Sequence, residues 1–147
     1  MAKTLGNLGS ERAWVVHGSD GLDELTTTGP SFVADLREDG TVSCYEVSPK
    51  DAGLPEARPD DLKGGSPDVN AQAIRDMLDG KPGPYRDVVL LNAAAGLLVA
   101  GKAADLKDGV AQAGAAIESG KARATLDRLV RITTAESLDE ITGEVGG

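Results

Sequence analysis

Three acids fall within a short polar stretch, Ser19-Asp20-Gly21-Leu22-Asp23-Glu24-Leu25, which runs on into Thr26-Thr27-Thr28-Gly29-Pro30. Carboxylates in a glycine-bearing turn suit a hard divalent cation, above all Mg2+, which takes one or two of them and leaves its other positions to phosphates and water. Asp20, Asp23 and Glu24 are therefore the candidate ligands. A solvated acidic turn has the same spacing, so spacing alone leaves both readings open. The remaining reactive residues offer less. His17 is the only histidine, which excludes a metal site built on several imidazoles and leaves a strand-end residue hydrogen-bonded to backbone. Cys44 has no second cysteine to bridge and no histidine beside it to activate it, so it reads as a strand or core residue. Gly96-Leu97-Leu98-Val99-Ala100-Gly101-Lys102-Ala103 approaches a nucleotide P-loop, but ends in alanine where a Mg2+-binding hydroxyl is needed. It reads instead as a helix C-terminus, with Gly101 the stop and Lys102 at the negative end of the dipole. Asp139-Glu140 reads as a solvated pair in the tail.

The elements around the acidic stretch must position it. Arg12-Ala13-Trp14-Val15-Val16-His17-Gly18 predicts a buried strand delivering its end to that loop. Ser31 to Arg37 and Thr41 to Ser48 flank Glu38-Asp39-Gly40, and Asp-Gly between two β-prone runs predicts an antiparallel hairpin. Pro49 to Gly65, broken by prolines, reads as an ordered coil between a β part and an α part. Helices follow. The first starts at Ser66-Pro67, with the Ser66 side chain expected to cap it and Ile74, Met77 and Leu78 on one face, and Gly80 stops it. The second, about Tyr85 to Ala100, is apolar nearly all round, and its Ala93-Ala94-Ala95-Gly96 lets another backbone approach; it should be the most buried. Asp105 can cap a third, ending near Ser119, and Lys121 to Val130 predicts a fourth with Leu126, Leu129 and Val130 inward. Residues 133–147 read as a polar, flexible tail after a domain spanning 1–132.

Composition narrows the function classes. At 147 residues the chain suits one domain, and with aromatics at only 3% its core must be aliphatic. Twenty-four acidic against 15 basic residues give a net charge of −9, which argues against nucleic acid and anionic membranes as partners. Met1 to Ser10 has no apolar run of signal-peptide length, and Val88 to Ala100, interrupted by Asn92 and Gly96, falls short of the ~20 residues that span a bilayer. With one unpaired cysteine, these features predict a cytoplasmic protein.

Leu8-Gly9-Ser10-Glu11-Arg12-Ala13-Trp14-Val15-Val16-His17-Gly18 and Asp20-Gly21-Leu22-Asp23-Glu24 resemble the C-terminal half of the anthranilate phosphoribosyltransferase family. The resemblance continues through Pro49 to Leu54, Asp61-Leu62-Lys63-Gly64-Gly65, Asn70 and Val89-Leu90-Leu91-Asn92-Ala93-Ala94-Ala95, and runs from about Gly6 to Ile132. It implies an α/β fold: part of a central mixed sheet with a β-hairpin and about four flanking helices, the C-terminal half of a larger α/β domain. It also implies transfer of phosphoribosyl from phosphoribosyl pyrophosphate to anthranilate in tryptophan biosynthesis, with Mg2+ held at the positions of Asp23 and Glu24. The family's glycine-rich pyrophosphate loop, Lys-His-Gly-Asn segment, anthranilate contacts and helical N-terminal domain have no counterpart here. The expectation is thus a fragment, a truncated reading frame or one subunit of a split enzyme, inactive alone, that self-associates or pairs with the missing half. A fragment related to pyrimidine nucleoside phosphorylases and a non-catalytic binding module are the alternatives; Asp-Gly-Leu-Asp-Glu favours the transferase.

Overall fold

The computed structural model describes residues 1–135, so most of the expected tail, including Asp139-Glu140, lies outside the described residues. Five α-helices and three strands succeed one another as α1 (Ala2–Asn7), β1 (Ala13–Gly18), β2 (Ser31–Leu36), β3 (Val42–Val47), α2 (Pro67–Leu78), α3 (Pro84–Val99), α4 (Leu106–Glu118) and α5 (Lys121–Thr134). The α/β class and the hairpin agree with the sequence reading. The strands lie in the order β1-β2-β3, antiparallel throughout, with Val16 opposite Val33 and Val33 opposite Tyr45. Gly40, at φ 79°, takes the left-handed conformation that the hairpin turn requires.

Because side chains alternate along a strand, one sheet face carries Val16, Val33 and Val47 toward the helices. Val33, Val47 and Leu25 join Leu91, Ala94, Ala95 and Leu106 in the main core, with Trp14 and Val16 packed against it. A second cluster of Met77, Leu90, Ala113 and Ile117 ties α2, α3 and α4 together. As expected, α3 lies at the centre, and its small residues admit a neighbour: a Cβ on Gly109 of α4 would stand 2.8 Å from the Ala94 Cα. Gly101, at φ 65°, ends α3, and the Asp105 carboxylate caps α4 by accepting from the Asp108 amide at 2.9 Å.

Several expectations are corrected. β1 is half-buried rather than buried, because it is an edge strand covered on one face and paired on one side. The Ser66 side chain makes no capping bond; Asn70 folds back instead, accepting from the Gly65 amide at 2.8 Å and donating to its carbonyl at 3.2 Å. Residues 49–65 contain two 3-10 turns, Pro49–Ala52 and Pro59–Leu62, and send Ala52 and Leu54 into the core. Leu126 of α5 is half-buried, but Leu129 and Val130 face outward, 55% and 51% exposed, because the helix meets the bundle at its start, through Ala122 and the Arg123–Asp79 ion pair. Cys44 is in a strand as expected, but exposed. The short α1, which covers Leu36 with Gly6, has no foreshadowing in the sequence pattern.

Candidate functional site

The acidic stretch is the loop joining the end of β1 to the start of β2, as its composition predicts. It lacks regular secondary structure, yet is closely held. The Ser19 amide donates to the Pro30 carbonyl at 3.0 Å and the Gly18 amide to that of Leu22 at 2.8 Å, closing the loop across its base. Inside it, Asp20 acts as a structural acceptor: its Oδ2 takes the Thr26 and Thr28 hydroxyls, each at 2.6 Å, and its Oδ1 takes the Leu22 amide at 3.2 Å. Desolvation pushes the Asp20 carboxyl up, but the hydrogen bonds from Thr26, Thr28 and Leu22 together outweigh it and hold it below the ordinary aspartate value. Gly18 makes room for this network, since a Cβ there would stand 2.5 Å from Asp20 Oδ1 and 3.0 Å from Thr26.

Downstream the loop is buried: Leu25, Thr26, Thr27 and Ser31 are all 0% exposed. Buried backbone groups need partners, and here a side chain and a distant backbone amide supply them. The Thr26 amide donates to Ser31 Oγ at 2.9 Å, and the Ala57 amide donates to the Thr27 carbonyl at 2.8 Å. Both backbone groups of Leu25 bond to Asn92 of α3, whose Oδ1 accepts from the Leu25 amide at 3.0 Å and whose Nδ2 donates to the Leu25 carbonyl at 2.8 Å.

Asp23 and Glu24 stand between these anchored parts, exposed, and no described residue hydrogen-bonds or pairs with either side chain. Their donor set of two free adjacent carboxylates fits the part of a Mg2+ coordination sphere that proteins commonly supply beside phosphate and water. Among the described residues, no three of His, Cys, Asp and Glu come together as a metal-binding group, and Asp20 is spent on hydroxyls. The loop therefore offers a pair of carboxylates rather than a closed cage. His17, the penultimate residue of β1, is exposed, stacks on Phe32 with ring centroids 4.8 Å apart, and lies 3.3 Å from the Gly18 carbonyl through Nδ1, the structural role expected of it.

A separate polar cluster occupies the opposite end of the sheet. The Tyr45 hydroxyl donates to Asp35 at 3.3 Å, and its ring meets Trp14 edge-on. Burial, reinforced by the Asp35 charge, pushes the Tyr45 phenol up to about 12. The sequence reading did not find Asn92, Thr26, Thr28 or Ser31 as parts of the site. Asn92 did carry a signal, a lone amide interrupting the most apolar run of the chain.

Residues 1–123 match the model of the glycosyl transferase family, a/b domain. Over 137 residues the chain is 60% identical to the anthranilate phosphoribosyltransferase of Parvibaculum lavamentivorans, covering 93% of this chain and 40% of that protein. The crystal structure of anthranilate phosphoribosyltransferase from Thermus thermophilus superposes with a TM-score of 0.80 at 40% identity, over 91% of this chain and 39% of that one. The anthranilate phosphoribosyltransferase of Saccharomyces cerevisiae in complex with PRPP and Mg gives a TM-score of 0.72 at 25% identity, over 79% of this chain and 33% of that one. The chain thus spans about 40% of the length of the curated relatives it matches. Among the described residues no helix is long and apolar enough to cross a membrane.

Proposed function

Because this chain belongs to the glycosyl transferase family, we propose that it is the C-terminal portion of an anthranilate phosphoribosyltransferase and supplies that enzyme's metal-holding loop. The carrying observation is the pair Asp23 and Glu24, exposed and without a side-chain partner among the described residues, on a loop closed across its base and held at Asp20, Leu25 and Thr26. In phosphoribosyl transfer, pyrophosphate leaves C1 of the ribose as positive character develops on the sugar, and the anthranilate amine bonds to C1 and releases one of its protons. A Mg2+ on the pyrophosphate offsets the charge growing on the leaving group. On this reading Asp23 and Glu24 hold the metal from the protein side. Asp20 stays with its hydroxyls and fixes the loop. Gly18 and the Thr26-Thr28 pair keep the two free carboxylates on a base that does not reorganise as charge moves, the condition under which electrostatic stabilisation is most effective.

The relatives' names and the yeast enzyme's complex with PRPP and Mg support this reading over a nucleoside phosphorylase. Phosphoribosyl pyrophosphate and anthranilate are then the substrates of the complete enzyme, in the tryptophan biosynthesis of the cytoplasm, where the exposed Cys44 thiol stays reduced. A glycine-rich phosphate cradle has to come from further polypeptide, so the 147-residue chain alone is inactive. The test uses a full-length enzyme carrying this segment. Asp23→Asn and Glu24→Gln lower turnover at least about tenfold and raise the Mg2+ concentration required, while anthranilate binding is retained. Unchanged kinetics in both variants across a Mg2+ titration refute the metal assignment, and turnover well above background by the purified 147-residue chain refutes its inactivity alone.

A further inference from the structure

Asn92 lies 67 residues from Leu25 in sequence and makes no hydrogen bond to Asp23 or Glu24, yet its side chain bonds both backbone groups of Leu25, the residue that follows the pair. Leu25, which follows Glu24 directly, is fully buried, and its peptide groups belong to no strand or helix. A buried amide and carbonyl without partners would each carry a full desolvation penalty. The Asn92 side chain presents one acceptor and a two-proton donor, the same pair of functions as a peptide unit, and matches both groups of Leu25 at 3.0 and 2.8 Å. The second Nδ2 proton goes to the Val88 carbonyl at 3.0 Å, one turn back on α3, which fixes the orientation of the amide. The loop is therefore bridged to α3 as though α3 were a neighbouring strand at one residue.

On the other side of the pair, Leu22 is anchored within the loop itself, its amide on Asp20 and its carbonyl accepting from Gly18. Asp23 and Glu24 thus span two fixed leucines, and only the Leu25 anchor connects them directly to a different element. Leu25 is joined to Glu24 by a single planar peptide unit, with Cα atoms ~3.8 Å apart, so releasing Leu25 frees the backbone torsions that set where the Glu24 carboxylate stands. We infer that Asn92 is a positioning residue for the Asp23–Glu24 pair, setting the geometry in which the two carboxylates meet a divalent cation. This inference rests on the metal reading proposed above. No other residue type does the same at this site: Asp would lose the donor, Leu both functions, and Gln would carry its amide one methylene too far.

The experiment follows a full-length enzyme carrying this segment with two readouts, amide exchange of the 19–30 segment and Mn2+ binding by electron paramagnetic resonance. Neither needs turnover. In Asn92→Leu, exchange of 19–30 accelerates at least about tenfold and Mn2+ affinity falls severalfold, while exchange of β2, β3 and α4 stays at the parent's level. Asn92→Gln, which keeps a polar side chain and the same charge, gives a smaller change in the same direction. If Asn92→Leu keeps loop exchange and Mn2+ affinity within a factor of two of the parent, the inference is overturned. It is equally overturned if Asn92→Leu unfolds every element while Asn92→Gln behaves as the parent, which would assign Asn92 to stability alone. Failure of the metal reading has a different signature: Mn2+ binding by the parent that is indifferent to Asp23→Asn with Glu24→Gln. Loop exchange in the Asn92 variants then decides the clamp without the metal.

Discussion

The loop between β1 and β2 and the helix α5 invert the usual association of regular structure with order. Residues 19–30 form no helix or strand, yet Leu25, Thr26 and Thr27 are completely buried, and Asp20, Ser31 and Asn92 satisfy the Thr26 hydroxyl, the Thr26 amide and both backbone groups of Leu25. By contrast, α5 is a regular 14-residue helix with no buried residue at all. Helical hydrogen bonds are local, so the backbone of α5 is satisfied within the helix itself, and a helix of this length, marginal in isolation, leans on the bundle only at its start, through Ala122 and the Arg123–Asp79 ion pair. The loop has no local ladder and exists in this shape only because distant side chains complete it. What fixes a segment in place is the number of its groups that would be left unsatisfied if it moved.

Substitutions can break this contrast from either side. The largest effect is expected at Gly18→Ala, whose added methyl meets both Asp20 and Thr26, at a cost of about 3 kcal/mol in a denaturant titration. A value near zero would mean that the loop is more yielding than its hydrogen bonds indicate. Thr26→Val keeps the shape but removes the hydroxyl that serves Asp20 and the Thr28 amide, and is expected to cost about 2 kcal/mol with faster exchange across 19–30.

Acidification is a milder probe. Because the folded-state value of Asp20 is depressed, its contribution is present above the ordinary aspartate value of 3.8 and is lost as pH falls through the lower folded value. Loop protection, corrected for intrinsic exchange, should therefore fall in the parent below that pH toward the level of Asp20→Asn, whose protection is flat over the same range. A parent and variant with identical pH profiles would refute the role assigned to Asp20. The smallest change is expected in α5, where Leu129→Ala should stay within about 0.5 kcal/mol of the parent because the side chain is already 55% exposed. A loss above about 2 kcal/mol would show that this face is covered in solution.

Much of the architecture follows from neighbours in sequence. The strand before the acidic stretch, the Asp39-Gly40 hairpin, the Asp105 cap and the Gly101 stop each rest on residues within a turn of one another, where steric and hydrogen-bond rules act locally. The same holds for the composition of the acidic stretch and for its likeness to a family, which are written directly in the order of residues. Which acid does what was not written there. Asp20 and Asp23 are chemically identical and three positions apart, and only the folded loop turns one onto two threonines and leaves the other free.

Two further features depend on approach in space. Gly109 has to be glycine because α4 passes against Ala94 of α3, and Asn92 has to be an amide because Leu25 arrives beside it. The outward apolar face of α5 is the converse case, in which amphipathic periodicity predicted burial that the bundle does not provide. Periodicity states which face of a helix prefers to leave water, but whether a surface is there to receive it is settled only when the elements pack. The sequence by itself thus determined the three strands and the four long helices, the charges available and the family. The tertiary structure decided which of those charges are held and which are free, because buried groups must find partners in space, however far apart they lie along the chain.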